Sequence, residues 1–252
     1  MIGNPGVIRT EVNFFYEDYR NRFLEVSVNS HLFAGQPWIP AFARMTDIFM
    51  KLNRDFFNRN TLIVAQELLG KIIVRKIGKQ ILAGKIVEVE AYNGPEDLAS
   101  HASRGQTPRN SIMFGHPGYS YVYLIYGINH CFNIVTEDHG YPAAILIRAV
   151  EPVEGIEVMK KNRFAGRDAK SCVSTEINLT NGPGKFCQAF QIDKVLNEAD
   201  LIASKNLWLE NGEKIKKADI ISAKRIGVDY AKEYKNKLWR YYIKDSPWVS
   251  KK

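Results

Sequence analysis

The chain is short of cysteine, of histidine in metal-binding patterns, and of long apolar runs. Its three cysteines (Cys131, Cys172, Cys187) form no C-x-x-C pair and no even set. That excludes a disulfide framework and points to a reducing compartment. The five histidines (His31, His101, His116, His130, His139) show no H-x-x-x-H or H-x-E spacing. Neither a zinc protease nor a zinc-dependent base deaminase fits, and no metal is expected. No apolar stretch approaches the ~18–20 residues that span a bilayer; Ala143 to Ile147 is typical of the longest. The N-terminus has no basic region followed by an apolar stretch, and it is too acidic for a transit peptide. These absences give the expectation of an intracellular protein, cytoplasmic or nucleoid-associated, with no membrane partner. G-x-S-x-G and Rossmann patterns are missing too. Asn181-Gly182-Pro183-Gly184-Lys185 resembles a phosphate loop, but Leu179 stands where the first glycine belongs and Phe186 where Ser or Thr does. It retains only the weaker capacity to offer backbone N–H groups at a helix start. No organic cofactor is expected.

What is present is an ordinary globular composition with a basic surplus. Of 252 residues, 45% are apolar and 12% aromatic, ample for a core. Lys+Arg number 35 against 27 Asp+Glu, a formal charge of +8. Residues 1–49 hold 4 basic and 5 acidic side chains, whereas from Ala203 onward there are 13 basic against 6 acidic. The surplus is therefore C-terminal, interleaved with Trp208, Trp239, Tyr241, Tyr242 and Trp248. That pattern is either a polyanion-binding groove or a solvated basic rim around a small aromatic core, and composition slightly favours the rim.

Residues 1–49 read unlike the rest, with apolar patches lacking periodicity and the proline-bracketed Pro37-Trp38-Ile39-Pro40. They are expected to form a poorly ordered extension, with Met50 a candidate alternative start and 50–252 one domain of catalytic size. A helix is expected from the Asn60/Thr61 cap to Gly70, then a hairpin of Lys71–Ile77 and Gln80–Tyr92 around Gly78-Lys79. A second strand pair runs from Tyr119 to Tyr126 and from Ile128 to Val135, hinged near Gly127. Ala143–Ala149 reads as a short buried strand, Val153–Lys161 as a helix, and Lys185–Phe190 as a short helix opened by Gly182-Pro183-Gly184. Strands cluster mid-chain rather than alternating with helices. The expected class is α+β: one domain with a curved, largely antiparallel sheet, flanking helices and a protruding β-hairpin.

Ile86-Val87-Glu88-Val89-Glu90-Ala91-Tyr92 is the most informative segment. With period 2, Val87, Val89 and Ala91 share one face while Glu88, Glu90 and Tyr92 share the other, the two acids' Cα atoms about 6.5–7 Å apart. For an arbitrary E-x-E, solvent-facing acids paired with lysines are the better reading. The polar loop that leaves the end of this acidic strand raises the functional one, with Gly94-Pro95-Glu96-Asp97, His101, Arg104, Thr107, Arg109 and Asn110. Tyr119, Tyr121 and Tyr123 form a one-face ladder, most often packing. Tyr126, at a hairpin tip beside Gly127, has little to pack on and suits a wedge into a base stack. Asn133 returns on the partner strand and Arg148 ends the Ile145–Ile147 run.

Together these blocks resemble the alkyladenine (3-methyladenine) DNA glycosylase family. The resemblance runs from Gly84-Lys85-Ile86-Val87-Glu88-Val89-Glu90-Ala91-Tyr92 and Gly94-Pro95-Glu96-Asp97 with His101, through Gln106–Asn110, Met113-Phe114, Tyr121–Gly127 and Asn133. It continues with Leu146-x-Arg148-Ala149-x-Glu151-Pro152, Leu179-x-Asn181–Lys185 and Arg225–Val228, and ends at Ser246–Ser250. The blocks occur in order from about Leu52 onward; residues 1–49 lie outside them. The resemblance implies that Glu90 is the base activating water for attack on the sugar C1′. It implies that Tyr92, His101 and Tyr123 wall the pocket for a flipped base, and that Tyr126 fills the gap left in the duplex. Asn133 would screen out normal guanine, and Arg148 would support the water and phosphate region. The sequence departs from the family at His130 and around Ser103-Arg104-Gly105, which bears on substrate range.

The expected activity is hydrolysis of the N-glycosidic bond of alkylated purines in double-stranded DNA by a monomeric, monofunctional glycosylase, with no lysine beside Glu90 to form a Schiff base. Two alternatives stand beside it: a non-catalytic nucleic-acid-binding protein, and a sugar glycosidase using Glu88 and Glu90 as its pair. Carboxylates on one strand face are poorly placed to flank a bond from opposite sides. No general acid is identifiable.

Overall fold

The computed structural model describes residues 50–125, 127–164 and 176–251. The expectations placed on residues 1–49 and on the Tyr126 side chain lie outside that set.

Helix α1 (Arg54–Phe57) leads into α2 (Thr61–Leu68), where the Asn60 side chain accepts from the Leu62 N–H as its cap. The apolar stripe Val64, Ala65, Leu68 and Leu69 is buried on the strand Gln80–Asn93. At Gly70 (φ +84°) the chain turns into β1 (Ile72–Ile77). An added Cβ there would stand 2.2 Å from the Glu213 carbonyl oxygen, so only glycine fits. β1 and β2 (Gln80–Asn93) form the expected hairpin, with Ile77 paired to Gln80.

Among the described residues the sheet has eight strands, and every pairing is antiparallel. β3 (Ser120–Ile125), β4 (Asn129–Val135), β5 (Ala143–Glu154), β2, β1 and β6 (Leu207–Glu210) succeed one another in that spatial order. β7 (Ile220–Ala223) pairs with β8 (Arg240–Ile243), which lies against the Glu88–Glu90 part of β2. The fold is therefore α+β with a curved open antiparallel sheet. Helices α3 (Ile156–Phe164) and α4 (Pro183–Ala189) pack on each other, and α4 covers β4 and β5. The main core lies between these helices and the sheet, around Phe132, Phe186 and Phe190.

The expected helix over Val153–Lys161 is corrected at its start. β5 continues to Glu154, because Pro152 and Glu154 still pair with Gly84 and Ala83 of β2. The turn comes at Gly155 (φ +76°), where a Cβ would stand 2.4 Å from Leu82 Cδ2. Strict alternation along β2 is also corrected. The β2–β5 register skips Val87 on one strand and Arg148 on the other. Ile86, Val89 and Ala91 consequently join the main core, as do Ile145, Ile147 and Val150, a change of parity on both strands at one level. Such bulges re-aim side chains, and here the displaced residue is an arginine.

The C-terminal strands β6 to β8 have no counterpart in the sequence reading. Their aromatics are structural: Trp208 and Tyr241 are buried, while Trp239 and Trp248 pack against the core. The lysines from Lys205 to Lys251 are all exposed, a basic rim. The two arginines of this region, Arg225 and Arg240, are buried.

Candidate active site

β2 carries Glu88 and Glu90 into the protein, both fully buried. This removes the solvent-facing reading of the E-x-E pair, and their partners are arginines rather than lysines. Glu88 Oε1 lies 3.2 Å from Arg148 Nε and 3.0 Å from Arg240 Nη1, and Oε2 accepts from the Ser250 N–H at 2.7 Å. Glu90 Oε1 accepts from the Ile226 N–H at 2.7 Å and lies 3.2 Å from Arg148 Nη1. Its Oε2 accepts from the Tyr92 hydroxyl at 3.0 Å. Burial disfavours the Arg148 charge, but Glu90 and then Glu88 more than offset it, and its pKa stands above the ordinary value.

A cavity of about 490 Å³ opens beside this cluster. Tyr92, His101, Tyr123, Asn133 and Arg148 all line it, so five of the seven residues singled out in the sequence converge on one space. Glu90 adjoins it through Tyr92 and Arg148. The three aromatic walls have unlike supports. Tyr92 is held by Glu90 and lies under Arg225, whose guanidinium is 4.8 Å from the ring centroid. Burial, and next the Glu90 charge, push its hydroxyl well above the usual phenol range. His101, on the 3-10 turn His101–Arg104, remains exposed, yet its Nδ1 is 2.8 Å from the Tyr121 hydroxyl. Its ring meets Tyr123 edge-on at 4.6 Å. Desolvation at the cavity wall, then the Arg109 charge, lower His101 below the ordinary 6.5. Burial likewise pushes Tyr121 up to about 12 and Tyr123 well above its normal value. At neutral pH the rings of the cavity wall are therefore uncharged, beside the charged Arg109 and Arg148.

Asn133 is buried opposite Tyr121 in the β3–β4 ladder and donates from Nδ2 to the Tyr121 carbonyl at 3.0 Å. The tyrosine ladder thus has two jobs: Tyr119, Tyr121 and Tyr123 all belong to a second apolar cluster, and the latter two also face the cavity.

Several participants have no role assigned from the sequence. Arg109 lies over the Tyr123 ring at 5.5 Å. Arg225, Arg240, Ser250 and the Ile226 N–H come from the last 30 residues and meet β2 only in three dimensions. The C-terminal blocks of the family resemblance take in Arg225, Ile226 and Ser250, whereas Arg240 lies outside them. Among the described residues, no three His, Cys, Asp or Glu side chains are grouped so as to hold a metal ion, and no helix is long and apolar enough to cross a membrane.

The family described as methylpurine-DNA glycosylase matches residues 55–247. Three similar curated proteins carry the name "Putative 3-methyladenine DNA glycosylase". That of Desulfitobacterium hafniense is 49% identical over 203 residues, covering 80% of this chain and 99% of its own length. That of Methanocella arvoryzae is 51% identical over 201 residues, covering 80% and 96%. That of Clostridium perfringens is 48% identical over 205 residues, covering 81% and 100%.

Proposed function

The chain belongs to the methylpurine-DNA glycosylase family and is a DNA glycosylase of base-excision repair; on that premise we propose how its cavity acts, and on what. The substrate is an alkylated purine of the 3-methyladenine type in double-stranded DNA, rotated out of the helix into the cavity of about 490 Å³. Extruding a base costs a few kcal/mol, less where damage has weakened its pairing. Stacking on the rings of Tyr92, His101 and Tyr123 returns about 1–3 kcal/mol. Alkylation at N3 or N7 makes the base a cation, which improves it as a leaving group and strengthens its attraction to the tyrosine faces. Asn133, fixed by the Tyr121 carbonyl, screens the pocket against the exocyclic amine of guanine. Tyr126 fills the gap in the duplex.

Glu90 orients the attacking water and supports the oxocarbenium-like sugar as the C1′–N bond breaks; the water's oxygen bonds to C1′, its proton passes to the carboxylate, and the base departs with the bonding electrons. The observation that carries this reading is the Glu90 carboxylate, buried beside the cavity and held by three donors from Tyr92, Ile226 and Arg148. His101, kept mostly neutral at pH 7 by its lowered pKa, serves as a hydrogen-bonding wall rather than as an acid. No lysine is among the described cavity-lining residues, which supports simple hydrolysis over Schiff-base chemistry. Glu88 does not serve as a second catalytic carboxylate: two arginines and a backbone N–H already occupy it, which weighs against a sugar glycosidase.

The test is Glu90→Gln. Release of methylpurines from duplex DNA treated with dimethyl sulfate should disappear while binding to that DNA persists. Unchanged release would overturn the mechanism, and the absence of release by the unmodified protein would favour a non-catalytic binding role.

A further inference from the structure

We infer that Arg225 and Asp97 form a positioning pair that sets the orientation of the Glu90 carboxylate, an inference that rests on the reading of Glu90 above. Both side chains are fully buried. Arg225 grips Asp97 with two nitrogens: Nη1 donates to Oδ2, and Nη2 to Oδ1 at 2.7 Å. Nη1 also donates to the Ala91 carbonyl at 2.8 Å. The guanidinium lies over Tyr92 and, at 5.1 Å, over Trp239. Ala91 separates Glu90 from Tyr92, so this one side chain grips β2 between the two residues. The next residue, Ile226, supplies the N–H that Glu90 Oε1 accepts at 2.7 Å.

Asp97 extends the same frame in the other direction. Its Oδ2 accepts from the Asn93 N–H at 3.2 Å and its Oδ1 from the Ala99 N–H at 3.0 Å. These bonds hold the turn that leads from Tyr92 to His101. Three chain segments, 90–93, 97–101 and 225–226, are thereby locked around one ion pair.

Stability alone does not account for such a pair. Desolvating two charges offsets most of their attraction, and well-packed apolar replacements are often as stable or more so. Arg225 Nε, moreover, is buried without a hydrogen-bond partner, a further cost. What a bidentate guanidinium–carboxylate pair does supply is fixed geometry. Catalysis is sensitive to that: a displacement near 1 Å of a group that positions the reaction can cost about 10²-fold in rate.

The experiment uses the full-length protein with Asp97→Asn, Arg225→Met and Arg225→Lys, and Glu90→Gln as reference. Single-turnover release of methylpurines from dimethyl-sulfate-treated duplex DNA is measured beside the Kd for a duplex carrying a stable abasic-site analogue. Thermal melting gives the folded fraction. The release rate per folded molecule should fall about 10²-fold in Asp97→Asn and Arg225→Met, and less in Arg225→Lys, while Kd changes by less than threefold. A release rate that is unchanged, or that falls only in step with Kd, overturns the inference. Should these variants not fold, an ester in place of the 225–226 peptide amide removes only the N–H that reaches Glu90. A tenfold or greater loss of release then shows that the orientation of Glu90 sets the rate, as the inference requires, and a smaller loss overturns it. Full release by Glu90→Gln would sink the reading of Glu90, and this inference with it. Inactive Glu90→Gln beside fully active Arg225 and Asp97 variants would sink the positioning pair alone.

Discussion

Glu88 and Glu90 share one arginine: each places its Oε1 3.2 Å from a different nitrogen of the Arg148 guanidinium. The two acids are nevertheless unequal. Glu88 has Arg240 as well, and its other oxygen is taken by the Ser250 N–H. Among the described residues Glu90 has no second arginine, and its remaining partners are a phenol and a backbone N–H beside the cavity.

Arg148→Met should therefore be costlier than Arg240→Met. Removing one partner of a buried ion pair costs about 3–5 kcal/mol, and Arg148 compensates two carboxylates, one of them at the cavity. Both variants should unfold at lower denaturant concentration. Methylpurine release per folded molecule should collapse only for Arg148→Met. Equal losses of release in the two would show that Glu88 and Glu90 act as one unit.

Tyr92→Phe isolates a single bond, because the ring that stacks remains and only the hydroxyl donated to Glu90 Oε2 is lost. A hydrogen bond to a charged group is worth about 1.5–3 kcal/mol, which corresponds to a fall in single-turnover release between roughly tenfold and roughly 150-fold. Affinity for lesion-containing duplex should barely move. A variant that releases at the normal rate but binds poorly would assign the hydroxyl to base recognition instead.

Arg109→Gln should raise the titration midpoint of His101. Desolvation and then the Arg109 charge hold it below 6.5, and removing the cation lifts the second of these. Linkage sets the sign for stability. A depressed folded-state pKa leaves the protein at its most stable, as far as His101 is concerned, above pH 6.5. Stability declines as pH falls from there through the folded-state value. The variant should lose less on that acidic side. An NMR titration of His101 that shifts downward, or not at all, would contradict the assignment.

Gly70→Ala and Gly78→Ala separate backbone strain from collision. Both glycines have positive φ, but only Gly70 faces an oxygen 2.2 Å from an added Cβ, whereas Gly78 has open space. Gly78→Ala should lose only the left-handed penalty of about 1–2 kcal/mol. Gly70→Ala should lose distinctly more in chemical denaturation, since the Glu213 backbone must shift. Comparable midpoints would show that the 213 segment yields without resistance.

Local features were legible in the chain alone. Asn60 and Gly70 bound a helix, Gly78-Lys79 turns a hairpin, and the E-x-E-x-Y spacing puts Glu88, Glu90 and Tyr92 on one strand face, because caps, turns and the two-residue pleat depend on near neighbours. Their surroundings were settled only by folding. The bulges at Val87 and Arg148 arise from the pairing of two strands and leave no mark in either alone. The N–H of Ile226 lies 136 residues from Glu90 and that of Ser250 lies 162 from Glu88. No periodicity spans such distances. The C-terminal positive charge likewise had one sign in the sequence and two fates in the fold. Lysines stay in water, where a compact ammonium is well hydrated. Arg225 and Arg240 go inside, because a planar guanidinium can satisfy several acceptors at once and so offset its own desolvation.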